Sequence, residues 1–195
     1  MKLFIATKNN NKISEFRRLF SDLGLQFVSE NDFETRMPEI EENGLTFEEN
    51  ALIKARAGMR FSGMPTIADD SGLCVDYLNG KPGIYSARFA GGHGDSKANN
   101  LKLLSELEGV DIKDRTAHFV CSIACVFPNG REFTVTGECK GYIDYLESGD
   151  NGFGYDPLFI SSLGKFSEIT QEEKNSISHR GNAMRLFKAE ILKYL

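Results

Sequence analysis

Residues 115–143 read RTAHFVCSIACVF-PNG-REFTVTGECKGYI, and they give the clearest indication of the fold class. It contains two runs rich in β-branched and aromatic residues, 115–127 and 131–143, separated by Pro128-Asn129-Gly130. Such runs on either side of a short turn containing Asn-Gly predict a long antiparallel hairpin. The fold must therefore include an antiparallel strand pair.

Shorter strands and amphipathic helices are predicted on both sides of this hairpin. The expected strands are 3–6, 25–29, 65–68 and 73–77, and the expected helices follow Asn9-Asn10-Asn11, Thr46, Asp95 and Ser178. Because strands and helices alternate irregularly around one long hairpin, the pattern favours an α/β fold with a mixed sheet over a regular doubly wound fold.

The length of 195 residues predicts one domain, 1–195, with room for two lobes. Its longest apolar stretch, 119–127, is far shorter than the roughly 20 residues of a membrane-spanning helix. The apolar segment at the start of the chain is too short for a signal peptide. We therefore expect a cytoplasmic protein without a membrane partner.

The net charge of -5 gives no overall basic surface for long nucleic acid. A small polyanionic substrate would need a local basic cluster or a metal ion. The four cysteines have no C-x-x-C spacing, so buried reduced thiols are favoured over a zinc site or a disulfide.

The polar loop from Thr7 to Lys12 joins the first strand to the first helix. Backbone N–H groups at a helix start favour anions, and the loop side chains add donors, so the loop is a candidate phosphate site. A plain turn rich in capping residues explains the same sequence. It is not a Walker A loop, because the required glycines are missing.

Asp69-Asp70-Ser71-Gly72 is predicted to be an acidic turn between two buried strands. Adjacent carboxylates at a strand end are costly unless they are hydrogen-bonded or bound to a cation, and oxygen ligands suit Mg²⁺. A turn that caps its own backbone is an equally good interpretation. Glu41 and Glu42 could supply a further ligand or be surface residues, and Lys54 is most simply a solvated lysine.

Two later segments contain residues suited to binding a flat ring. Gly152-Phe153-Gly154-Tyr155-Asp156-Pro157 offers aromatics for stacking and a carboxylate that can accept from ring N–H groups. Lys174 and Ser178-His179-Arg180-Gly181 add donors at the start of the last helix. A tight loop with buried aromatics and a surface helix cap are the alternatives.

Taken in order, these segments resemble the inosine/xanthosine triphosphate pyrophosphatase family, which removes deaminated purine nucleotides. The matching positions span nearly the whole chain: Thr7, Asn9, Lys12 and Glu15, residues 41–47 with Asn50, Ala51, Lys54 and Ala55, and residues 68–73, 81–88, 152–157 and 178–181. The loop carries Asn11 where many relatives have glycine before the lysine.

The resemblance implies an α/β fold with a long twisted mixed sheet, two lobes and an active cleft between them, and usually a homodimer. It implies Mg²⁺-dependent hydrolysis of ITP, dITP or XTP to the monophosphate and pyrophosphate, with water attacking the α-phosphorus. Asp70 would be the general base and a metal ligand, Glu41 the partner ligand, and Asp69 a possible one. The implied substrate contacts are Thr7, Lys8, Asn9, Asn10, Asn11, Lys12, Lys54, Ser71, Phe153, Gly154, Tyr155, Asp156, Lys174, His179 and Arg180.

Three other functions compete with this one. A pyrophosphatase for pyrimidine or modified nucleotides is disfavoured by the segments at 152–157 and 178–180. A nucleotide sensor without catalysis would not need Glu41, Asp69 and Asp70. A phosphatase acting at the γ-position is the third.

Overall fold

The computed structural model describes residues 1–7, 9–20, 24–92 and 94–194. Within these ranges the strands are β1 (Lys2–Ile5), β2 (Gln26–Ser29), β3 (Thr66–Val75), β4 (Thr116–Val126), β5 (Glu132–Ile143), β6 (Phe159–Ser161) and β7 (Gly164–Lys165). They form one sheet in the order β2-β1-β3-β4-β5-β6-β7. β1 is parallel to β2 and β3, whereas β6 is antiparallel to β5 and β7. The predicted mixed sheet is confirmed.

The predicted hairpin is present as β4 and β5, which are neighbours in the sheet. The N–H of Phe127 donates to the carbonyl of Arg131 across the turn between them. The prediction of an acidic turn, in contrast, is wrong. β3 runs without interruption through Asp69, Asp70, Ser71 and Gly72 where two strands and a turn were expected.

The helices are α1 (Asn10–Leu19), α2 (Phe47–Ser62), α3 (Ser96–Glu106), α4 (Gln171–Ile177) and α5 (His179–Ile191). The Thr46 hydroxyl accepts from the Glu49 N–H at the start of α2, as its sequence predicted. α5 starts where expected because Ser178 has extended backbone and separates it from α4. No helix in the described part of the chain is both long and apolar enough to span a bilayer.

The chain divides into two compact units, in agreement with the two predicted lobes. The cleft expected between lobes stays a prediction. Unit 1 comprises Met1–Asp70, Cys121–Thr136 and Ala183–Leu195. Side chains alternate along β1, so that Leu3 and Ile5 pack in a cluster with residues of α1 and α5. Phe4 packs on the opposite face with residues of α2.

Unit 2 comprises Ser71–Val120 and Gly137–Asn182. Its core combines residues of β3, α3, β4, β5 and β6. Phe119 lies at its centre, with ring centroids 4.7 Å from Phe159 and 5.9 Å from Phe166. This core supports the loop at 152–157 through the buried side chains of Tyr155 and Leu158.

The cysteines are free thiols, as predicted. Burial raises the pKa of Cys125 to about 12 and that of Cys139 to about 11. Burial and nearby carboxylates raise the pKa of Cys74 to about 11. These thiols therefore stay protonated at neutral pH.

Candidate active site

Asp69 and Asp70 lie in the middle of β3. Consecutive side chains of a strand point to opposite faces of the sheet, so these two aspartates do so as well. Asp69 is 4% exposed, and its Oδ2 atom lies 2.7 Å from the Nζ atom of Lys12 in the first turn of α1. Asp70 instead contacts residues of α2. The two aspartates, which the sequence could not tell apart, therefore have different partners.

Asp70 is held by two nitrogen donors. Its Oδ1 accepts from Lys54 Nζ at 2.8 Å, and its Oδ2 accepts from Asn50 Nδ2 at 3.3 Å. The Asp70 side chain is 13% exposed. Burial raises the pKa of this carboxyl above its ordinary value, and the opposing effect of the Lys54 charge is smaller. A carboxylate with raised basicity and open lone pairs is suited to accept a proton.

Lys54 joins two carboxylates. Its Nζ lies 3.0 Å from Glu42 Oε2 as well as 2.8 Å from Asp70 Oδ1. Burial opposes the charge on Lys54, but Asp70, Asp69 and Glu42 together outweigh it and raise the Lys54 pKa. Lys54 is therefore an enclosed cation within the acidic cluster, not the solvated lysine that the sequence alone suggested.

Glu42 approaches this cluster, whereas the predicted ligand Glu41 is exposed. Glu41 lines a cavity of about 500 Å³ together with residues that include Ile40, Arg60 and Phe61. The role of Glu41 as a metal ligand stays a prediction. Its neighbour Glu42 is the functional candidate that sequence reasoning considered and did not select.

The loop before α1 caps its own backbone. Thr7 Oγ1 accepts from the Asn9 N–H at 3.2 Å, and Asn9 Oδ1 accepts from the Lys12 N–H at 3.4 Å. Lys8 and the side chains of Asn10 and Asn11 lie outside the described residues. Of the predicted phosphate contacts in this loop, the structure places Lys12 beside the acidic strand.

In unit 2, the Phe153 ring is 54% exposed and two cations approach it. Lys174 Nζ is 5.0 Å and Arg180 Cζ is 5.9 Å from the ring centroid. An exposed ring beside cations can stack on a flat, electron-rich base.

Asp156 stabilises the loop at 152–157 through hydrogen bonds. It is 3% exposed, and its Oδ2 accepts from the Phe153 N–H at 2.7 Å and from Lys174 Nζ at 2.6 Å. A side chain at Gly152, where φ is +84°, would collide with this carboxylate. Asp156 therefore holds both the stacking residue and one of its cations, and its contact with a base edge stays a prediction.

Tyr155 is buried, unlike Phe153. Its hydroxyl donates to the carbonyl of Ser86 at 2.8 Å, and Asn100 Nδ2 donates to the carbonyl of Gly154 at 3.1 Å. Ser86 belongs to a 3₁₀ helix, Gly83–Arg88, and its hydroxyl accepts from the Leu73 N–H of β3. The segment 81–88 thus supports the loop, a role that could not be assigned from sequence.

His179 and Arg180 lie at the start of α5 and are both 7% exposed. The His179 ring stacks on Phe119 at 4.7 Å, and Arg180 donates to Ser71 Oγ at 3.4 Å. Ser71 directly follows Asp70 in β3. The interpretation of these residues as a surface cap is therefore wrong, because both are buried.

The oxygen donors around Lys54 fit a hard cation such as Mg²⁺. Among the described residues no group of three or more Asp, Glu, His or Cys side chains forms a ready-made metal site. Mg²⁺ commonly binds through one or two carboxylates and takes its other ligands from water and substrate phosphates. Asp70 and Glu42, which share the Lys54 ammonium, are the carboxylates that would be available to such an ion.

Known proteins match this chain over nearly its full length. The family model described as "Ham1 family" matches residues 3–190. The dITP/XTP pyrophosphatase of Geobacter sulfurreducens is 48% identical over 96% of this chain and 94% of that protein. The dITP/XTP pyrophosphatase of Desulforamulus reducens is 51% identical over 95% and 92%.

Solved structures agree. The Ham1 protein of Staphylococcus aureus has 38% sequence identity and a TM-score of 0.89, with complete coverage of both chains. The nucleoside-triphosphatase / dITP/XTP pyrophosphatase of Mycobacterium abscessus has 43% identity and a TM-score of 0.81, covering 96% of this chain and 97% of that one.

Proposed function

The chain belongs to the Ham1 family, and from this premise we propose that it hydrolyses non-canonical purine nucleoside triphosphates, ITP, dITP and XTP, to the monophosphate and pyrophosphate. It is a hydrolase of nucleotide metabolism. The observation that carries the mechanism is the Asp70 carboxylate, enclosed and held by Lys54 and Asn50.

Asp70 is proposed to accept a proton from the water that attacks the α-phosphorus. Burial raises the pKa of this carboxyl and thereby its basicity, and its side chain is 13% exposed. Mg²⁺, held by Asp70 with Glu41 or Asp69, would neutralise phosphate charge and lower the pKa of bound water.

Lys12 and Lys54 are proposed to hold the phosphates, together with Thr7, Ser71 and the asparagines at 9–11. Each lysine is paired with a carboxylate of β3 in the structure. Lys54 contacts the proposed proton acceptor Asp70, and Lys12 contacts the neighbouring Asp69. The two lysines supply the local positive charge that a protein with a net charge of -5 needs for a triphosphate.

The purine is proposed to stack on Phe153, with Lys174, His179 and Arg180 near its edge. Hypoxanthine and xanthine present a 6-oxo acceptor and an N1–H donor, whereas adenine reverses both groups. A buried cationic donor directed at the 6-position would leave adenine mispaired, and mispaired buried polar groups discriminate strongly. Arg180, at 7% exposure, is suited to this because its guanidinium cannot lose its charge.

Four further properties belong to the proposal, of which the homodimer rests on the resemblance alone. The divalent ion is Mg²⁺, the assembly is a homodimer, the compartment is the cytoplasm, and residues 1–195 act as one catalytic domain.

The reaction is tested by incubating the protein with Mg²⁺ and, separately, ITP, XTP, dITP, GTP, ATP and TTP, followed by identification of the phosphate product. We expect pyrophosphate from ITP, dITP and XTP and little turnover of ATP. Release of orthophosphate would favour a γ-phosphatase, and preferred turnover of TTP would favour a pyrimidine enzyme. Either result, or equal turnover of all six, contradicts the proposal.

A further inference from the structure

Asn50 links the acidic strand to the loop that precedes α2. It lies at the end of the first turn of α2 and is 1% exposed. Its Oδ1 accepts from the Gly44 N–H at 2.9 Å, and its Nδ2 donates to Asp70 Oδ2 at 3.3 Å. A backbone N–H can only donate, so the atom facing Gly44 must be the amide oxygen. The chemistry of Gly44 therefore fixes the amide so that its NH₂ group faces Asp70.

The close contact with the loop depends on glycine at position 44. A Cβ atom there would lie 2.7 Å from Asn50 Oδ1 and 2.7 Å from the Cβ of Glu49. The next residue, Leu45, donates its N–H to Glu49 Oε2 at 2.6 Å. The loop is thus bound to the first turns of α2, and this places Glu42 within reach of Lys54.

The two donors on Asp70 differ in kind. Lys54 is a cation on a flexible side chain that is shared with Glu42, and it is proposed to hold the phosphates once the substrate binds. Asn50 is neutral, buried and held at both ends of its amide. When Lys54 turns to a phosphate, Asn50 remains as the protein donor that fixes the rotation of the Asp70 carboxylate. A neutral donor also reduces basicity less than a cation does.

We propose that Asn50 is a positioning residue for Asp70, and that Gly44 sets the amide orientation on which this depends. The proposal rests on the proposed role of Asp70 as proton acceptor. Partners that orient a reacting group commonly change activity by about 10- to 100-fold when removed. Substrate binding involves other residues, so the loss should fall on kcat and leave KM nearly unchanged.

The test compares Asn50→Ala, Asn50→Asp and the control Asn43→Ala in pyrophosphate release from ITP with Mg²⁺. Asn43 is an exposed residue of the same loop. Ionised Asn50→Asp still accepts from the Gly44 N–H but cannot donate to Asp70, and it also adds a second carboxylate beside Asp70. Asn50→Ala removes the donation without adding charge, so a loss shared by both variants points to the missing donor. We expect both Asn50 variants to lose about 10- to 100-fold in kcat with KM within about threefold, and the control to match wild type.

A crystal structure of Asn50→Ala gives a readout that is independent of turnover. With pyrophosphate bound, so that Lys54 is drawn to a phosphate, the proposal predicts that the Asp70 carboxylate of Asn50→Ala is rotated relative to that of the wild type. Unchanged Asp70 orientation, wild-type kcat in both folded Asn50 variants, or a loss confined to KM overturns the proposal. Failure of the wild-type protein to release pyrophosphate contradicts the proposed function instead, and the structure of the variant still decides whether Asn50 positions Asp70.

Discussion

Replacing Phe153 by alanine removes the surface on which the purine is proposed to stack. The ring is 54% exposed, so truncation should cost only about 1 kcal/mol of folding stability. Stacking of a base on an aromatic side chain contributes about 1–3 kcal/mol. At about 1.4 kcal/mol per factor of ten, this corresponds to a rise in KM for ITP of about 5- to 150-fold.

The measurement is the initial rate of pyrophosphate release over a range of ITP concentrations, together with calorimetric binding of inosine monophosphate. We expect kcat to change by less than about threefold, because Phe153 contacts the base and not the reacting phosphorus. Tyr142→Ala provides a matched control, since Tyr142 is a 46% exposed aromatic of β5 that belongs to no proposed site. Unchanged KM and affinity in Phe153→Ala, or a loss confined to kcat, would refute the stacking role.

Single substitutions test Asp70, the Lys174–Asp156 pair and Asp144. Asp70→Asn should abolish turnover while nucleotide affinity largely survives in a binding assay, and near wild-type kcat would remove Asp70 from the role of base. Lys174→Met should reduce the free energy of unfolding by about 3 kcal/mol in urea titrations, because it leaves the buried Asp156 carboxylate without its cation, whereas exposed Lys97→Met should not. Burial opposes ionisation of Asp144, but Lys165 at 2.8 Å, the Tyr145 N–H and Arg115 together outweigh it and lower the pKa of this carboxyl. Asp144→Asn should therefore lower stability at neutral pH by about 1 kcal/mol or less, and the difference should vanish as the pH falls through the lowered pKa of Asp144; a constant difference down to that pH would contradict this ion pair.

The two strands of the hairpin could be predicted from the sequence because their β-branched and aromatic residues favour strands, and the same residues form β4 and β5 in the structure. The strand conformation of Asp69-Asp70-Ser71-Gly72 could not be predicted, because these residue types favour turns locally. In the structure β3 lies between β1 and β4, and pairing with neighbours overrides local preference.

Candidate site residues could be proposed from the sequence, but the contacts between them could not. Lys12, Lys54, Asp70, Phe153 and Lys174 have polar or aromatic contacts suited to the proposed roles. Lys54 contacts Glu42 and not Glu41 because of the path of the loop that carries them. The sequence of two adjacent glutamates does not reveal that path. The burial of Tyr155 against Ser86, 69 positions earlier in the chain, likewise depends on tertiary packing.

In the proposed reaction, water attacks the α-phosphorus and pyrophosphate is the leaving group. Hydrolysis of ITP in water enriched in the heavy oxygen isotope, followed by mass spectrometry of both products, tests it directly. The isotope should appear in inosine monophosphate and be absent from pyrophosphate. Isotope in the pyrophosphate, or in released orthophosphate, would contradict attack at the α-phosphorus.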